Sequence, residues 1–401
     1  MNSNADGTEY AAQRKIKILE LAALDIAFKT ILKDLIEALV EHDDYDLTIV
    51  CSDGPYVAEL REAGHRVKTV TISRNLNVFR HLISLVQLYL FIRNETFDVV
   101  HAHTPVASFI GRLAAKMART SRIVNTVHGF YFHENTHVVV RKAIIALERL
   151  VGHFTDLTFS VNAEDVQTAI RERICPADRI MVVGNGVDLQ RFDPRLVEPA
   201  RRRIREELGV PPDAAVVGAV GRLVREKGFV ELFQGMPRVL EASREAKLIV
   251  VGDALPTDRD SVKDQLMALV DSLELNDRVV FTGLRYDVPE LLSAMDVFVL
   301  PSYREGMPVV LLEAMAMARP VVATHVRGCR EVVVDGETGI LVPPGDVPAL
   351  ADAIVRLLGD KELAGRMGRA GRKRAEQRFD RNEVTGKQLD ALSQLVSSRA
   401  V

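Results

Sequence analysis

In the second half of the chain the sequence runs Leu300-Pro-Ser-Tyr-Arg-Glu-Gly-Met-Pro-Val-Val-Leu-Leu-Glu-Ala-Met-Ala-Met-Ala318. It is entered through Asp296-Val-Phe-Val-Leu300, a short, apolar, β-branched run that is typical of a buried strand. Pro308 suits the first turn of a helix, where its missing N–H is no loss. The stretch therefore predicts a strand, a short turn and a buried helix.

Two carboxylates lie in this stretch at different predicted depths. Glu305 falls in the turn, whereas Glu313 falls inside the helix among apolar neighbours. A buried carboxylate needs donors or takes up a proton, so we expect hydrogen-bond partners for Glu313. A structural glutamate bound to backbone or to an arginine would meet that need as well as a ligand would. The N–H groups at the helix start also suit an anion such as phosphate.

Length and composition narrow the class of protein. A chain of 401 residues predicts two to three domains, and 47% hydrophobic with 27% charged residues is ordinary for a globular protein. The formal net charge of −3 predicts no nucleic-acid partner. The three cysteines lie far apart, without disulfide or metal-ligand spacing, which favours a reducing, cytoplasmic location.

The chain has no predicted membrane span. Segment 1–14 is polar, lacks the apolar core of a signal peptide and is expected to be disordered. The most apolar window, 82–92, is too short to cross a bilayer. Flanking arginines (Arg74, Arg80 and Arg93) leave two alternatives: a core helix with solvated ends, or peripheral docking on anionic lipid at the inner face of the membrane.

Strands alternate with helices along the whole chain, which predicts parallel sheets covered on both faces. The turn residues Gly-Asn-Gly at 184–186 and Asp-Pro at 193–194 indicate a linker. We therefore predict domains at 15–190 and 191–380, and a C-terminal helix at 381–401 that could pack back on the first domain. The predicted strands are 15–21, 46–50, 66–72, 97–101, 121–127 and 156–161 in the first domain, and 214–220, 247–251, 278–281, 296–300, 320–323 and 339–342 in the second. The first predicted helix spans 28–40.

A cationic motif follows the first strand of the second domain: Gly218-Ala-Val-Gly-Arg-Leu-Val-Arg-Glu-Lys-Gly228. Arg222 can bind phosphate through two hydrogen bonds, and Lys227 supplies a nearby point charge. A glycine-rich turn after a strand could instead bind a dinucleotide. The glycine spacing does not match that fingerprint, however, and the first-domain turn at 21–27 has no glycine, so a nicotinamide-dependent dehydrogenase is disfavoured.

Three histidines, His101, His103 and His128, follow neighbouring strands of the first domain. A lone histidine is usually structural, which is the interpretation favoured for His101. The three together could bind a metal, but no carboxylate or cysteine joins them at ligand spacing, so no metal site is predicted. The chain also lacks the Gly-x-Ser-x-Gly elbow of a serine hydrolase.

Glu305 and Glu313, with seven residues between them and Gly and Pro after the first, resemble the signature of retaining glycosyltransferases of family 4. The resemblance covers nearly the whole chain from Lys15 onward. Four further segments agree with it: Gly221-Arg…Lys227-Gly228 as a phosphate site, Val183-Gly-Asn-Gly-Val-Asp188 as an interdomain turn, the glycine-rich segment 333–346, and Thr126-Val-His-Gly-Phe-Tyr-Phe-His133 with Val100-His-Ala-His-Thr-Pro105, which is similar to members that build capsular or exopolysaccharide repeats.

The resemblance implies an α/β protein with the GT-B fold, in which two Rossmann-like, doubly wound domains face each other across a cleft. It implies a retaining, metal-independent hexosyltransferase without a cofactor. The donor would be a nucleotide sugar, a UDP-sugar by the family's commonest usage, and the acceptor a glycan or lipid-linked sugar in polysaccharide biosynthesis. A nucleotide-sugar epimerase on the same fold and a non-catalytic nucleotide-sugar-binding protein remain alternatives.

The resemblance also implies roles for individual residues, with Glu305 and His128 nearest the chemistry. Many family members carry a glycine-rich loop after the first strand, but residues 24–29 here are Leu-Asp-Ile-Ala-Phe-Lys, so no acceptor residue is predicted. The other implied roles are the donor diphosphate for Arg222 and Lys227, backbone contacts to sugar and phosphate for Gly306, Met307, Pro308 and Val309, the ribose for Glu313, and the nucleobase side for Leu284 and Arg285.

Overall fold

The structure, a computed structural model, describes residues 14–73, 78–132, 136–197, 199–255, 258 and 260–398. Segment 1–14, which was expected to be disordered, lies outside the described residues except for Arg14. Arg74 and His133 also lie outside them. The chain forms two compact units. Unit 1 contains the described residues of Met1–Ser160, Asp165–Val182 and Thr385–Val401, and unit 2 contains those of Val161–Glu164 and Val183–Val384.

Unit 1 is built on a seven-stranded parallel sheet with the order β3-β2-β1-β4-β5-β6-β7. Its strands are β1 (Ile16–Leu21), β2 (Tyr45–Cys51), β3 (Arg66–Thr69), β4 (Val99–His103), β5 (Arg122–Val127), β6 (Leu157–Ser160) and β7 (Ile180–Val182). Its helices are α1 (Ile26–Lys29), α2 (Lys33–Glu41), α3 (Val57–Glu62), α4 (Val78–Glu95), α5 (Pro105–Ala118), α6 (Val138–Gly152) and, from Asp165 onward, α7 (Ala163–Arg171).

Both faces of this sheet are covered, because residues of its strands enter two different cores. Leu19 and Leu21 pack with α4 and α5 on one face. Ile49 and Cys51 pack with α1, α2 and α3 in another cluster. Nearly continuous apolar strands are typical of parallel sheets that are buried in this way.

Two sequence predictions in unit 1 were wrong. The helix predicted over 28–40 is broken, since α1 ends at Lys29 and α2 begins at Lys33. Leu32 lies at the break and is buried in the core against these helices, so packing rather than helical periodicity sets the chain direction there. Strand β7 was not predicted, because its three residues adjoin the glycine-rich turn at 184–186 that was interpreted as linker.

Unit 2 has a six-stranded parallel sheet with the order β10-β9-β8-β11-β12-β13. Its strands are β8 (Val216–Val220), β9 (Lys247–Val251), β10 (Val279–Gly283), β11 (Val297–Leu300), β12 (Val321–Thr324) and β13 (Ile340–Val342). Its helices are α8 (Pro194–Val197), α9 (Ala200–Glu207), α10 (Phe229–Ala242), α11 (Lys263–Ser272), α12 (Val288–Ala294), α13 (Val309–Ala316), α14 (Arg327–Val332), α15 (Val347–Gly359) and α16 (Lys361–Arg378).

Phe298 and Leu300 of β11 contribute to one core of unit 2, with α12 and α13. Their neighbours Val297 and Val299 contribute to the other core, with α10 and α15. The sequence around β11 therefore becomes the buried strand that its β-branched composition predicted.

The last helix, α17 (Arg381–Ser397), returns to unit 1 from Thr385 onward. There Arg122 donates hydrogen bonds to the Leu395 carbonyl at 2.7 Å and to the Ser398 hydroxyl at 3.0 Å. Across the described part of the chain, the helices are all too short or too polar to cross a membrane.

Candidate active site

The predicted donor residues of unit 2 follow β8 and β11, which are neighbours in its sheet. After β8 the chain adds β9 and β10 on one side of the sheet, and after β11 it adds β12 and β13 on the other side. The strand order therefore reverses between β8 and β11, and ligands of such sheets bind at the carboxyl ends of strands beside this reversal. Arg222 and Lys227 follow β8, and Glu305 follows β11, so the fold brings the two predicted motifs together.

Lys227 and Glu305 are in direct contact. The Lys227 Nζ donates to Glu305 Oε1 at 2.6 Å, and the Ser302 hydroxyl donates to the same oxygen at 2.7 Å. The two charged side chains are 20% and 9% exposed. This pairing places a carboxylate and an ammonium group together at the carboxyl ends of the central strands.

Arg222 lies in a second charged group beside this pair. Its Nη1 donates to Asp258 Oδ1 at 2.5 Å, and its Nη2 lies 3.5 Å from Glu226. Glu226 also accepts a hydrogen bond from Arg304 at 2.8 Å. Arg222, Lys227 and Arg304, of which Arg304 lies in the turn between β11 and α13, are thus each paired with an acid.

The backbone carbonyl groups of this turn accept hydrogen bonds from other parts of unit 2. Asn162 donates to the Gly306 carbonyl at 2.9 Å, Asn185 donates to the Met307 carbonyl at 2.8 Å, and the Glu305 carbonyl accepts from the Gly328 N–H at 3.2 Å. In a trans peptide the N–H points away from the carbonyl. The Gly306 and Met307 N–H groups therefore point away from these partners.

Those N–H groups adjoin the start of α13, whose first N–H groups lack intrahelical acceptors. Within the described part of the chain, the N–H groups of Gly306, Met307, Val309 and Val310 make no hydrogen bond.

Two parts of the prediction for this turn and helix need correction. Pro308 precedes α13 in an extended conformation and has no N–H, so it shapes the turn but donates nothing. Glu313 is half-buried rather than fully buried, because the face of α13 that carries it is not the face packed into the core.

The two residues predicted near the nucleobase follow β10. Leu284 is exposed. Arg285 is held by Asp287 through two hydrogen bonds of 2.8 and 2.6 Å and by Glu207 through one of 2.7 Å. The hydrogen bonds that Arg285 donates to Asp287 and Glu207 raise the pKa of its guanidinium. Its guanidinium is therefore a fixed, fully charged group.

His128 of unit 1 belongs to a buried cluster that the sequence did not predict as a whole. Glu20 Oε1 lies 2.9 Å from His101 Nδ1, and Glu20 Oε2 lies 2.6 Å from His103 Nε2. His101 Nε2 lies 2.7 Å from the Thr126 hydroxyl, and His103 Nδ1 lies 3.2 Å from His128 Nε2. The strand order of unit 1 reverses between β1 and β4, which carry Glu20 and the first two histidines.

The absence of a carboxylate beside the histidines was a wrong expectation, because Glu20 lies between His101 and His103. Residue 20 pairs with residue 101 in the parallel ladder of β1 and β4. Glu20 is separated from the histidines by 81 residues or more, so spacing in the sequence could not reveal the contact. The only sequence signal is a glutamate on the same face of β1 as Ile16 and Ile18, where an apolar residue would be expected.

The cluster perturbs the titration of its members. Burial alone raises a carboxyl pKa, but the attraction of His101 and the hydrogen bonds from both histidines outweigh it and lower the pKa of Glu20 to about 2. Burial, assisted by repulsion from His101, lowers the pKa of His103 to about 4. Burial, with smaller effects of His103 and His101, lowers the pKa of His128 to about 3.

The ligand-type atoms of Glu20, His101 and His103 all lie within 4.8 Å of one another. The two Glu20 contacts, 2.6 and 2.9 Å, are hydrogen-bond distances. Ligand atoms around a tetrahedral zinc ion, each about 2.0–2.2 Å from the metal, are separated from one another by roughly 3.3 Å. The two Glu20 contacts are thus shorter than the ligand separations of such a site.

Comparisons with known proteins agree with this arrangement. Residues 29–191 match the family model described as Glycosyltransferase Family 4, and residues 200–374 match Glycosyl transferases group 1. The chain is 31% identical over 307 residues to the putative glycosyltransferase EpsD of Bacillus subtilis, covering 75% of this chain and 76% of that protein. It is 29% identical over 329 residues to the UDP-Gal:alpha-D-GlcNAc-diphosphoundecaprenol alpha-1,3-galactosyltransferase of Escherichia coli, covering 81% and 83%.

A solved structure, Anabaena Alr3699/HepE in complex with UDP and glucose, is similar with a TM-score of 0.81 and 25% identity, covering 94% of this chain and 99% of that one. Both parallel sheets are Rossmann-like, and charged groups lie where the strand order of each sheet reverses. These features agree with the matches to both family models. The chain belongs to the family 4 glycosyltransferases and has their GT-B fold.

Proposed function

We propose that this glycosyltransferase is a retaining, metal-independent hexosyltransferase that moves a sugar from a UDP-sugar to a glycan or lipid-linked acceptor in polysaccharide biosynthesis. The observation that carries the proposal is the Lys227–Glu305 pair beside the open N–H groups of the turn before α13. The UDP of the Anabaena complex and the diphosphoundecaprenol-linked acceptor named for the Escherichia coli relative support the two substrate classes.

The donor diphosphate would bind Arg222, Lys227 and the N–H groups of Gly306, Met307 and Val309. As the bond between the sugar and the diphosphate breaks, negative charge grows on the leaving phosphate, and fixed cations and N–H dipoles stabilise that charge. Transfer of Lys227 from Glu305 to phosphate would also free the Glu305 carboxylate to accept hydrogen bonds from sugar hydroxyls.

The nucleoside would lie along the neighbouring elements. The half-buried Glu313 would accept hydrogen bonds from the ribose hydroxyls, and Leu284 with Arg285 would border the base. Glu305 and Glu313 therefore bind successive parts of one donor rather than acting as a paired acid and base across one bond.

Metal independence is supported by charge. Arg222, Lys227 and the start of α13 supply the positive charge that a metal would otherwise bring to a diphosphate. In the Glu20 cluster both carboxylate oxygens are already at hydrogen-bond distance from histidine nitrogens. Retention would follow from attack on the same face of the sugar, with the leaving phosphate accepting the acceptor's proton.

The proposal is tested by donor turnover and product configuration in Glu305→Gln and Lys227→Ala. We expect both to lose at least 100-fold in turnover. Lys227→Ala removes one preorganised transition-state donor (about 10²–10³), and Glu305→Gln removes the negative charge that holds Lys227 and accepts from the sugar hydroxyls. The exposed Glu362→Gln and Lys373→Ala are matched controls that should retain activity. Near-normal rates in Glu305→Gln and Lys227→Ala, or an inverted product, would contradict the proposal. Loss of turnover on adding EDTA would contradict metal independence.

The same assay separates the alternatives. An epimerase would convert the UDP-sugar without any acceptor, which NMR of the incubated donor would show. A binding protein would retain the donor unchanged with every acceptor offered.

We further propose that unit 1 contacts an anionic membrane at the cytoplasmic face, where a lipid-linked acceptor would be presented. Phe79, Leu82 and Val86 form an exposed apolar stripe on α4, and Phe79 is 81% exposed. Helix α6 adds exposed valines at 138, 139 and 140, and both helices pack against α5. Exposed basic side chains also lie on these two helices: Arg80 and Arg93 on α4, and Lys142 and Arg149 on α6. Apolar side chains with basic neighbours are typical of an interfacial helix.

Co-sedimentation with vesicles tests this contact. We expect binding to phosphatidylglycerol-containing vesicles, weaker binding to phosphatidylcholine alone, and weakened binding in the double variant Leu82→Ser, Val86→Ser. Met267→Ser, which also removes an exposed apolar side chain, is the control and should bind normally. Equal binding to both vesicle types, or full binding of the double variant, would overturn the membrane proposal without affecting the donor site.

A further inference from the structure

A chain of hydrogen bonds runs from Glu20 through His103 to His128. Glu20 is fully buried and His103 is 1% exposed. The first contact, Glu20 to His103 Nε2, is short at 2.6 Å, and the second, from His103 Nδ1 to His128 Nε2, is 3.2 Å. The chain ends at His128 Nδ1, a buried atom that has no hydrogen-bond partner among the described residues.

The protons of this chain can be assigned from its first member. Glu20 is ionised near neutral pH, because its pKa is about 2, and an ionised carboxylate only accepts hydrogen bonds. His103 Nε2 must therefore carry a proton. Because the pKa of His103 is about 4, the ring is neutral and its Nδ1 is an acceptor.

The proton on the His128 ring follows from its contact with His103. The acceptor at His103 Nδ1 requires a proton on His128 Nε2. The His128 ring is also neutral near pH 7, since its pKa is about 3, so its Nδ1 keeps a lone pair. A buried acceptor without a partner costs free energy, and such an atom in a native protein calls for an explanation.

We infer that Glu20 and His103 are positioning residues that fix His128 as its Nε2–H tautomer, so that the Nδ1 lone pair accepts a hydrogen bond from a sugar hydroxyl of the substrate. This inference rests on the proposed function for the identity of the ligand, but its proton assignment does not. A sugar hydroxyl can donate a hydrogen bond to the imidazole lone pair at Nδ1. In the other tautomer Nδ1–H would itself be a donor and could not accept that hydrogen bond. Deoxygenation of the contacted sugar position would leave the lone pair unsatisfied.

The second branch of the cluster provides a matched control. His101 contacts Glu20 through Nδ1 and Thr126 through Nε2, and it does not lie between Glu20 and His128. Thr126→Val keeps the shape of a buried side chain and removes only the contact with His101. It should alter the cluster without changing the His128 tautomer.

The direct test is NMR of the full chain labelled with ¹⁵N-histidine, without substrate. Long-range ¹H–¹⁵N correlations distinguish the two neutral tautomers and the imidazolium, and the His128 signals are assigned by their loss in His128→Asn. We expect a neutral Nε2–H ring between pH 6 and 8 in the normal protein and in Thr126→Val. An Nδ1–H ring or an imidazolium at His128 would overturn the inference, whatever the enzyme's activity.

Two variants of His103 test the relay. His103→Leu removes the acceptor for His128 and should produce a mixture of tautomers, whereas in His103→Gln the amide can donate to Glu20 and accept from His128, and so should restore the Nε2–H form. With UDP-sugar turnover as the second readout, we expect about a tenfold fall in kcat/KM for His103→Leu, as for one lost hydrogen bond, and recovery in His103→Gln.

The readouts separate the possible failures. If His103 has only a structural role, folded His103→Leu should have a changed melting temperature but an unaltered His128 tautomer and kcat/KM. That result would overturn the relay. If the enzyme turns over no UDP-sugar while the tautomer results hold, the substrate assignment fails and the proton assignment stands. His103→Gln also serves if His103→Leu does not fold, because a changed tautomer in His103→Gln would contradict the relay.

Discussion

At Glu20 a single carboxylate is buried in a parallel sheet between two histidines. An ionised group in such a place is costly unless donors surround it. His101 and His103 supply those donors from the next strand, which explains why the pKa of Glu20 falls to about 2 instead of rising as burial alone would make it. The charge of Glu20 thus depends on the two histidines, whereas Glu20 itself raises the pKa of His103 that burial lowers.

Burial of the His103 and His128 rings predicts a steep acid destabilisation. The folded pKa values of His103 and His128, about 4 and about 3, lie below the usual value of 6.5. Below pH 6.5 the unfolded chain therefore binds two protons that the folded protein does not, so the free energy of unfolding falls as the pH drops toward about 4. The slope from these two residues approaches about 2.7 kcal/mol per pH unit near pH 5.

Urea unfolding at several pH values measures this slope. His128→Gln should roughly halve the contribution of the pair, because one proton uptake is removed. His153→Gln, at an exposed position, should leave the slope unchanged. A stability that is flat from pH 7 to pH 4.5 would contradict the buried neutral histidines.

At the scale of elements, the donor site depends on how closely α10 approaches β11. Gly228, just before α10, has φ of 70°, and a Cβ added there would lie 2.0 Å from the Pro301 carbonyl oxygen. Pro301 follows β11 directly and leads into the turn that carries Glu305. A glycine is therefore required to bring Lys227 beside that turn.

Gly228→Ala should be strongly destabilising. The left-handed conformation alone costs an alanine about 1–2 kcal/mol, and the overlap with backbone at Pro301 adds to it, so we expect a loss of roughly 3 kcal/mol or more in urea unfolding. Gly359→Ala is the matched control, since nothing lies within 4 Å of its added Cβ and alanine favours a helix. A Gly228→Ala protein as stable as the normal one would contradict this packing.

At the scale of the whole molecule, the two units divide the proposed roles. Every residue assigned to the donor nucleotide and diphosphate lies in unit 2, whereas the Glu20 cluster and the exposed apolar stripes lie in unit 1. Each unit has its own sheet and its own cores, so each can hold its part of the machinery in place.

Hydrogen exchange with UDP as the ligand tests this division. Bound UDP should slow amide exchange at 221–228 and 302–313, because ligand binding suppresses local opening. It should also raise the melting temperature. Strand β2 of unit 1, whose residues Ile49 and Val50 are fully buried, should exchange at an unchanged rate. Protection confined to unit 1 would contradict donor binding by unit 2.

Much of this protein follows from local sequence. Alternating helices and strands predicted two parallel sheets, and 12 of the strands in the described chain were located, because buried parallel strands are short, continuous apolar runs. The residues after β8 and β11 were identified for the same reason, since charged residues and glycines directly follow those runs. Their roles in binding a donor stay predictions.

Tertiary structure alone decided the rest. The meeting of Glu20 with His101 and His103 depends on the register of β1 against β4, which packing across the sheet sets and no local pattern records. The break between α1 and α2 and the half-exposed position of Glu313 likewise follow from which face of each helix meets the core. Sequence by itself determined where the chemistry-bearing residues lie along the strands, and folding determined which of them touch.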